Sequence, residues 1–442
     1  MGLAAATSMV TGIIVGAFIF VQPAEVTRLV PNGRGVILVW LVSGLLTLCA
    51  ALVCAELSRL YPATGGVYVF LRQIYSPPLA FLWGWGMFFV MHAGILAAIA
   101  VVLARYAGYF FGLGDAATRF LAMAAIGLVS FVQYLGVKPG SVVQVVLTAA
   151  KVCAIAVICA VIFTLGKAAH HTVVVSAGQP VHMAAFGLAV AAGLFAFGGW
   201  HMVSYSAGET RNPEHTIPRA LIYGVLIVTV CYTVLNAAYL YVMPLSSVAS
   251  STRVAADAME RVLGPVGGKA ITVVIVISAL GALNGIALAG PRVYYAMAQD
   301  RLAFRWMAAL HPKRQTPYLA IAAQAAWACL LAATNSYRAL FTRVIYTEWL
   351  FFALLAAGIF ILHKRGQYTP GLLKFGYPLL PIVSLVTSAA IAMNQIYAAP
   401  RDSFLGLGLL LLGLPVYFFW AHRNSTQQPA RGTSTDAHDR FS

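Results

Sequence analysis

GIIVGAFIFVQP, Gly12 to Pro23, lies inside the first apolar run of the chain. Two glycines stand four residues apart in it, Ala17 and the bulky Phe18 follow the second, and a proline closes the stretch. Each interior glycine costs a helix about 1 kcal/mol relative to alanine. A helix that only had to cross lipid would carry leucine here. The sequence instead weakens this span at its middle, and the reason for that weakness decides the fold.

That the run is a span at all follows from composition. Of 442 residues, 61% are hydrophobic and 9% charged, where soluble domains carry about 25% charge. Apolar runs of about 20 residues, enough to cross a ~30 Å hydrocarbon core, recur along almost the whole length. They are helices, because isolated strands leave backbone groups unpaired in lipid and a barrel alternates polarity in ~10-residue segments. Runs and breakers together place twelve spans near 8–30, 36–60, 78–106, 119–137, 140–165, 184–206, 217–243, 266–297, 317–335, 340–363, 376–397 and 403–421.

A net charge of +16 raises nucleic acid as a partner, but the basic residues are scattered between apolar runs rather than gathered with aromatics on one polar face. Membrane topology accounts for them instead. With twelve spans, both termini share a side with the loops after even-numbered spans. That side holds the densest basic clusters, Arg301, Arg305, Lys313 and Arg314, then Lys364, Arg365 and Lys374. The positive-inside rule therefore puts both termini in the cytoplasm of a cell membrane, plasma or bacterial inner. All six cysteines lie within apolar runs without zinc-site spacing and read as small apolar residues. The few residues before the first run include no Lys or Arg, so that run reads as a retained span rather than a removed signal peptide. Residues 422–442, polar and rich in Ser and Thr, read as a disordered cytoplasmic tail.

The weakness recurs in the sixth span, GLFAFGGWHMVSYSAGETRNPEHTIPRAL (Gly193–Leu221), where Gly193, Gly198 and Gly199 fall at mid-membrane. Close packing through small residues explains one such glycine pair. Two, five spans apart, point to transporters built from inverted five-helix repeats, which break the first helix of each repeat at the midplane. Freed N–H groups hold a substrate carboxylate there, and freed C=O groups hold an ammonium or a coupling cation. Unwound backbone is tolerable at that depth only where it lines a cavity.

Four stretches then resemble a known family. AELSRLYPATGGVYVFLRQIY (Ala55–Tyr75), FAFGGWHMVSYSAGETRNPEHTIPRA (Phe195–Ala220), VLNAAYLY (Val234–Tyr241) and GALNGIALAGPRVYYAMAQDRL (Gly281–Leu302) are similar to the L-type amino acid transporter branch of the amino acid-polyamine-organocation superfamily. The resemblance implies an all-α polytopic membrane protein of twelve transmembrane helices: a first five-helix repeat over 8–165, an inverted second over 184–363, and two further helices over 376–421. It implies alternating access around a central amino acid site, with no cofactor. On the first span the implied substrate contacts are Ile14, Val15, Gly16, Ala17, Phe18 and Ile19, the carboxylate lying at Gly16 to Phe18. On the sixth they are Phe195, Ala196, Phe197 and Gly198, which receive the amino group, and His201. Phe195 also matches an outer aromatic gate, and Tyr239 a tyrosine linking the site to the fifth span.

Phe18 departs from the family, which keeps a glycine there. Either the pocket suits small substrates, or the ring turns away, or specificity has left ordinary α-amino acids. Mammalian members pair with a heavy subunit through a cysteine between the third and fourth spans. AGYFFGLGDAAT (Ala107–Thr118) has none, so no disulfide-linked partner is expected beside substrate and lipid.

Lys151 stands within the apolar run VLTAAKVCAIAVICAVIF. A charge there costs about 2.5–3.5 kcal/mol even on the lenient insertion scale, so such a residue either pairs or snorkels to the interface. In the resembled family a lysine at this place occupies the sodium position of sodium-coupled relatives, tying the carbonyls around Gly12 to Ile14 to the eighth span near Ser278. The expectation is sodium-independent exchange of neutral, small amino acids. A proton-coupled amino acid or amine permease and a ligand-binding sensor are the alternatives. His201 either hydrogen-bonds a substrate or helix end or is satisfied within the bundle. Glu348 is either a proton or cation residue or a group in a solvated vestibule. His92 reads as packed, and Glu56, Arg59, Glu209, Arg211, Glu214 and Arg219 as solvated loop charges or parts of a cytoplasmic gate. No convergent acid–base, nucleophile or metal constellation supports an enzyme.

Overall fold

A computed structural model describes residues 1–16, 18–167, 182–334 and 337–425. Ala17 and the tail from residue 426 onward lie outside the described residues. Among the described residues ten helices are long and apolar enough to cross a membrane. Two shorter apolar helices, Leu3–Ile14 and Tyr318–Thr334, occupy the places of the first and ninth spans, so the order follows the twelve runs of the sequence. The fold is all-α and polytopic.

Both glycine-weakened spans are broken. The first consists of a helix at Leu3–Ile14, a 3-10 turn at Phe18–Phe20 and a helix at Gln22–Leu29 with Pro23 in its first turn. It starts about five residues before the apolar run, because Leu3 to Thr7 are small or apolar enough to continue the helix. The sixth runs Met183–Ala196 and resumes at Trp200–Glu209 as a 3-10 helix. Gly199 makes the turn with φ +96°, a backbone setting that a side chain opposes.

Each half of one broken span meets a half of the other. Leu3–Ile14 packs against Trp200–Glu209, and Gln22–Leu29 against Met183–Ala196. Leu3–Ile14 also lies against the fifth (Val137–Leu165), seventh (Pro213–Val242) and eighth (Pro265–Gln299) spans. Gly12 is required by the first of these contacts, since a Cβ there would stand 2.1 Å from the Thr148 hydroxyl oxygen. The third span is continuous over residues 77–111 but loosens into a π-turn at Met87–Met91, where Tyr294 donates to the Met87 carbonyl at 3.3 Å. π-turns inside helices cluster at functional places. Short helices at Val67–Ile74, Leu245–Ser250 and Val254–Leu263 fill connections that the hydropathy pattern left as loops.

Candidate functional site

The two breaks face one cavity of about 50 Å³. Ile13, Ile14 and Phe18 of the first span and Leu194, Phe195, Gly198, Gly199, Trp200 and Met202 of the sixth line it. The third span adds Ile95 and Ile99, the eighth Ile286, and the tenth (Tyr337–Lys364) Glu348, Trp349 and Phe352. A single water needs about 10–15 Å³. The space therefore holds a few waters and is contracted relative to an amino acid.

Phe18 is one cause of the contraction. Its ring meets that of Phe195 edge-to-face, centroids 4.7 Å apart and planes at 68°, a geometry aromatic quadrupoles favour. One ring comes from each break, so the pair joins the two discontinuous helices across the cavity.

Behind the first break stands Lys151, 1% exposed. Its Nζ donates to the carbonyls of Gly12 and Val15, each at 2.7 Å, and of Ser278 at 3.0 Å. An ammonium has three donors and no acceptor, and here three carbonyls receive them. Gly12 and Val15 belong to the C-terminal turn of Leu3–Ile14 and its cap, where the helix dipole is negative. The Ser278 hydroxyl adds bonds to Val15 O at 3.1 Å and Gly16 O at 3.4 Å. The carbonyls that unwinding orphans are thus satisfied by one cation and one hydroxyl.

Tyr232 of the seventh span performs a similar task for both breaks. Its hydroxyl lies 2.8 Å from the Ile14 carbonyl and 3.2 Å from that of Ala196. Tyr239, two turns further on, is fully buried, and its hydroxyl has no hydrogen-bond partner among the described residues. The tyrosine hydroxyl that reaches both breaks is that of Tyr232. Sequence reading missed it because a tyrosine in an apolar helix reads as packing, and only the crossing of the seventh span over both breaks aims its hydroxyl.

The other expected contacts divide in two. Ile14, Phe18, Phe195 and Gly198 line the cavity; Val15, Gly16, Ile19, Ala196, Phe197 and His201 do not. Val15, Gly16 and Ala196 act through carbonyls in the bonds above. Ile19 is buried beside the break, and the Phe197 ring packs on Trp40 and Tyr232. His201 turns into an aromatic shell of Trp83, Trp200, Tyr205 and Phe352, with ring centroids 4.8 to 6.0 Å away. Neither of its nitrogens has a hydrogen-bond partner among the described residues.

Glu348 is deeper than its sequence position implies. It is 6% exposed, on the cavity wall, where the sequence left a solvated vestibule open. A polar lattice not anticipated from sequence stands behind the site. Gln133 donates to Asn284 Oδ1 at 2.7 Å, and Asn284 to Gln144 Oε1 at 2.9 Å and Gly140 O at 3.2 Å. Its signal was there in three amides interrupting apolar runs, but amides carry no charge to draw notice.

On the side of the termini the spans are tied by charge. Arg292, its side chain 4% exposed, pairs with Glu209 at 2.8 Å. Asp300 receives Arg72 at 2.6 Å and the Tyr68 hydroxyl at 2.7 Å. Glu56, paired with Arg59 at 2.7 Å, also accepts from the backbone of Gly371, Leu372 and Leu373 at 2.7 to 3.3 Å.

Two discontinuous helices packed against each other, the carbonyls of the first held by a buried lysine, are a transporter's architecture. The sequence agrees with it over its length, residues 1–420 matching the amino acid permease family profile. The chain belongs to the amino acid permease family. It is a multi-pass membrane transporter of amino acids, not an enzyme. Among its relatives, the serine/threonine exchanger SteT of Bacillus subtilis is 30% identical over 96% of this chain and 98% of its own length. The human b(0,+)-type amino acid transporter 1 is 28% identical over 96% of this chain and 88% of its own. The human large neutral amino acids transporter small subunit 2 is also 28% identical, over 96% and 81%.

Proposed function

We propose that this permease exchanges small neutral amino acids across the membrane by alternating access and does so without sodium. The observation that carries the reading is the Lys151 ammonium seated on the carbonyls of Gly12, Val15 and Ser278. A fixed cation already satisfies the oxygens that a coupling sodium would need. The Phe18–Phe195 pair and the contracted cavity support a small substrate.

The substrate's charged ends bind at the two breaks, the carboxylate against the backbone at Gly16 to Phe18 and the amino group near the C-terminal end of Met183–Ala196. Helix ends present unpaired N–H or C=O groups there at no further unfolding cost. Two inverted repeats, 8–165 and 184–363, rock about this site. The termini lie in the cytoplasm, so the ties of Arg292, Asp300 and Glu56 belong to the inner gate. The permease works without a disulfide-linked subunit, in keeping with the cysteine-free segment Ala107–Thr118.

Purified protein in liposomes tests this. Labelled alanine or serine should enter only when unlabelled amino acid is inside, equally with sodium or choline outside. Uptake that requires a sodium gradient overturns sodium independence, and uptake into empty vesicles driven by a pH gradient overturns exchange.

A further inference from the structure

The cavity wall is aliphatic, aromatic, thioether or glycine everywhere but at one place. Among its lining residues Glu348 alone has an ionisable side chain. The residue is 6% exposed, and its Oε1 is fully buried with no hydrogen-bond partner among the described residues. No ion pair among the described residues includes it. Lys151, the cation of the neighbouring break, has its three donors on carbonyls.

A buried acceptor left without a donor is costly, because it loses water and gains nothing in return. Buried polar groups are nearly always satisfied. Other buried polar atoms also lack partners among the described residues, Gln133 Oε1, the Tyr239 hydroxyl and both His201 nitrogens among them, but of the residues that carry such atoms only Glu348 lines the substrate space. Trp349 and Phe352, on the same helix, turn the other faces of this wall into an apolar sleeve. An alkyl side chain in this cavity covers apolar wall but strands the carboxyl. One of similar size ending in O–H or N–H covers the same wall and completes the acceptor.

We propose that Glu348 is the specificity-determining residue for the substrate side chain, and that the permease selects short amino acids ending in a hydrogen-bond donor over alkyl isosteres. This rests on the central cavity being the transport site, as proposed above. Sites built to hydrogen-bond a substrate group reject the analogue lacking it far more strongly than apolar pockets sort by size.

Matched pairs differing by OH against CH3 supply the test: serine with 2-aminobutyrate, and threonine with valine, as competitors of labelled alanine exchange in liposomes. 2,3-Diaminopropionate adds an ammonium donor. Wild type should prefer the hydroxyl member of each pair by at least roughly tenfold. Glu348→Met should lose that preference, read as the ratio of the two competitors' effects on whatever alanine flux it retains, with elution as folded protein as the control for folding. Glu348→Gln, which keeps an acceptor, should retain part of it. A wild type that treats both members alike overturns the proposal and leaves amino acid exchange standing. So does a Glu348→Met protein that keeps the preference. If Glu348→Met and Glu348→Gln elute as folded protein but lose flux of every substrate equally, Glu348 serves the transport cycle rather than selection and the proposal falls. Absence of any saturable exchange in wild type would instead remove the reading on which it rests.

Discussion

Lys151 holds three carbonyls that the broken first span cannot satisfy by itself. Lys151→Met keeps the apolar stem and removes the donors. A hydrogen bond to a charged group contributes about 1.5–3 kcal/mol, so stability in detergent should fall by at least one such bond and exchange by more than tenfold. Denaturant midpoints and liposome flux check this, and near-wild-type values for both would show the ammonium to be incidental. At Phe18 the departure from the resembled family has a structural counterpart in the 4.7 Å contact with Phe195. Phe18→Gly removes one partner of the pair and opens space beside the break, so leucine and phenylalanine should become substrates. An unchanged competition profile would mean that the ring does not set the size limit. The lysine was legible because charge in an apolar run is conspicuous. Tyr232 was not, since its role depends on where its hydroxyl points.

At the scale of elements, the breaks were legible as glycine clusters, but which glycine bends the chain was not. Gly198 has open space at its Cβ position apart from the Phe195 carbonyl at 3.3 Å. Gly199 has φ +96°, and a Cβ there would lie 2.5 Å from Ile13 Cγ2. Gly199→Ala should therefore combine a left-handed backbone penalty of about 1–2 kcal/mol with a clash between the two broken spans. The melting temperature should drop and exchange should fall. Adding Ile13→Ala should recover part of the loss by removing the opposing methyl group. A Gly199→Ala protein as stable and active as wild type would show that the bend tolerates a side chain. The short connecting helices escaped sequence reading for a related reason: they are shorter than the window of about 11–18 residues over which a helical period is read.

For the whole molecule, the ties on the side of the termini are the contacts proposed above as the inner gate. Arg292 is buried, whereas Glu209 has a side chain 27% exposed, so the pair contributes less than the ~3–5 kcal/mol released when a fully buried pair loses one partner. Arg292→Met should loosen that side, speeding amide hydrogen exchange across residues 205–211 and slowing amino acid exchange. Unchanged protection there would remove this pair from the gate.

Composition alone determined that the chain spans a membrane as helices, because lipid offers no partner for an unsatisfied backbone. Glycine placement in GIIVGAFIFVQP and again around Gly198 determined where two of the spans give way, since propensity is a local property. Tertiary structure decided the rest: that the two breaks meet, that Lys151 and Tyr232 satisfy them, that His201 faces an aromatic shell and Glu348 the cavity. Those outcomes depend on the crossing of helices far apart in sequence, and a side chain's partner across a bundle leaves no mark on its own stretch of chain.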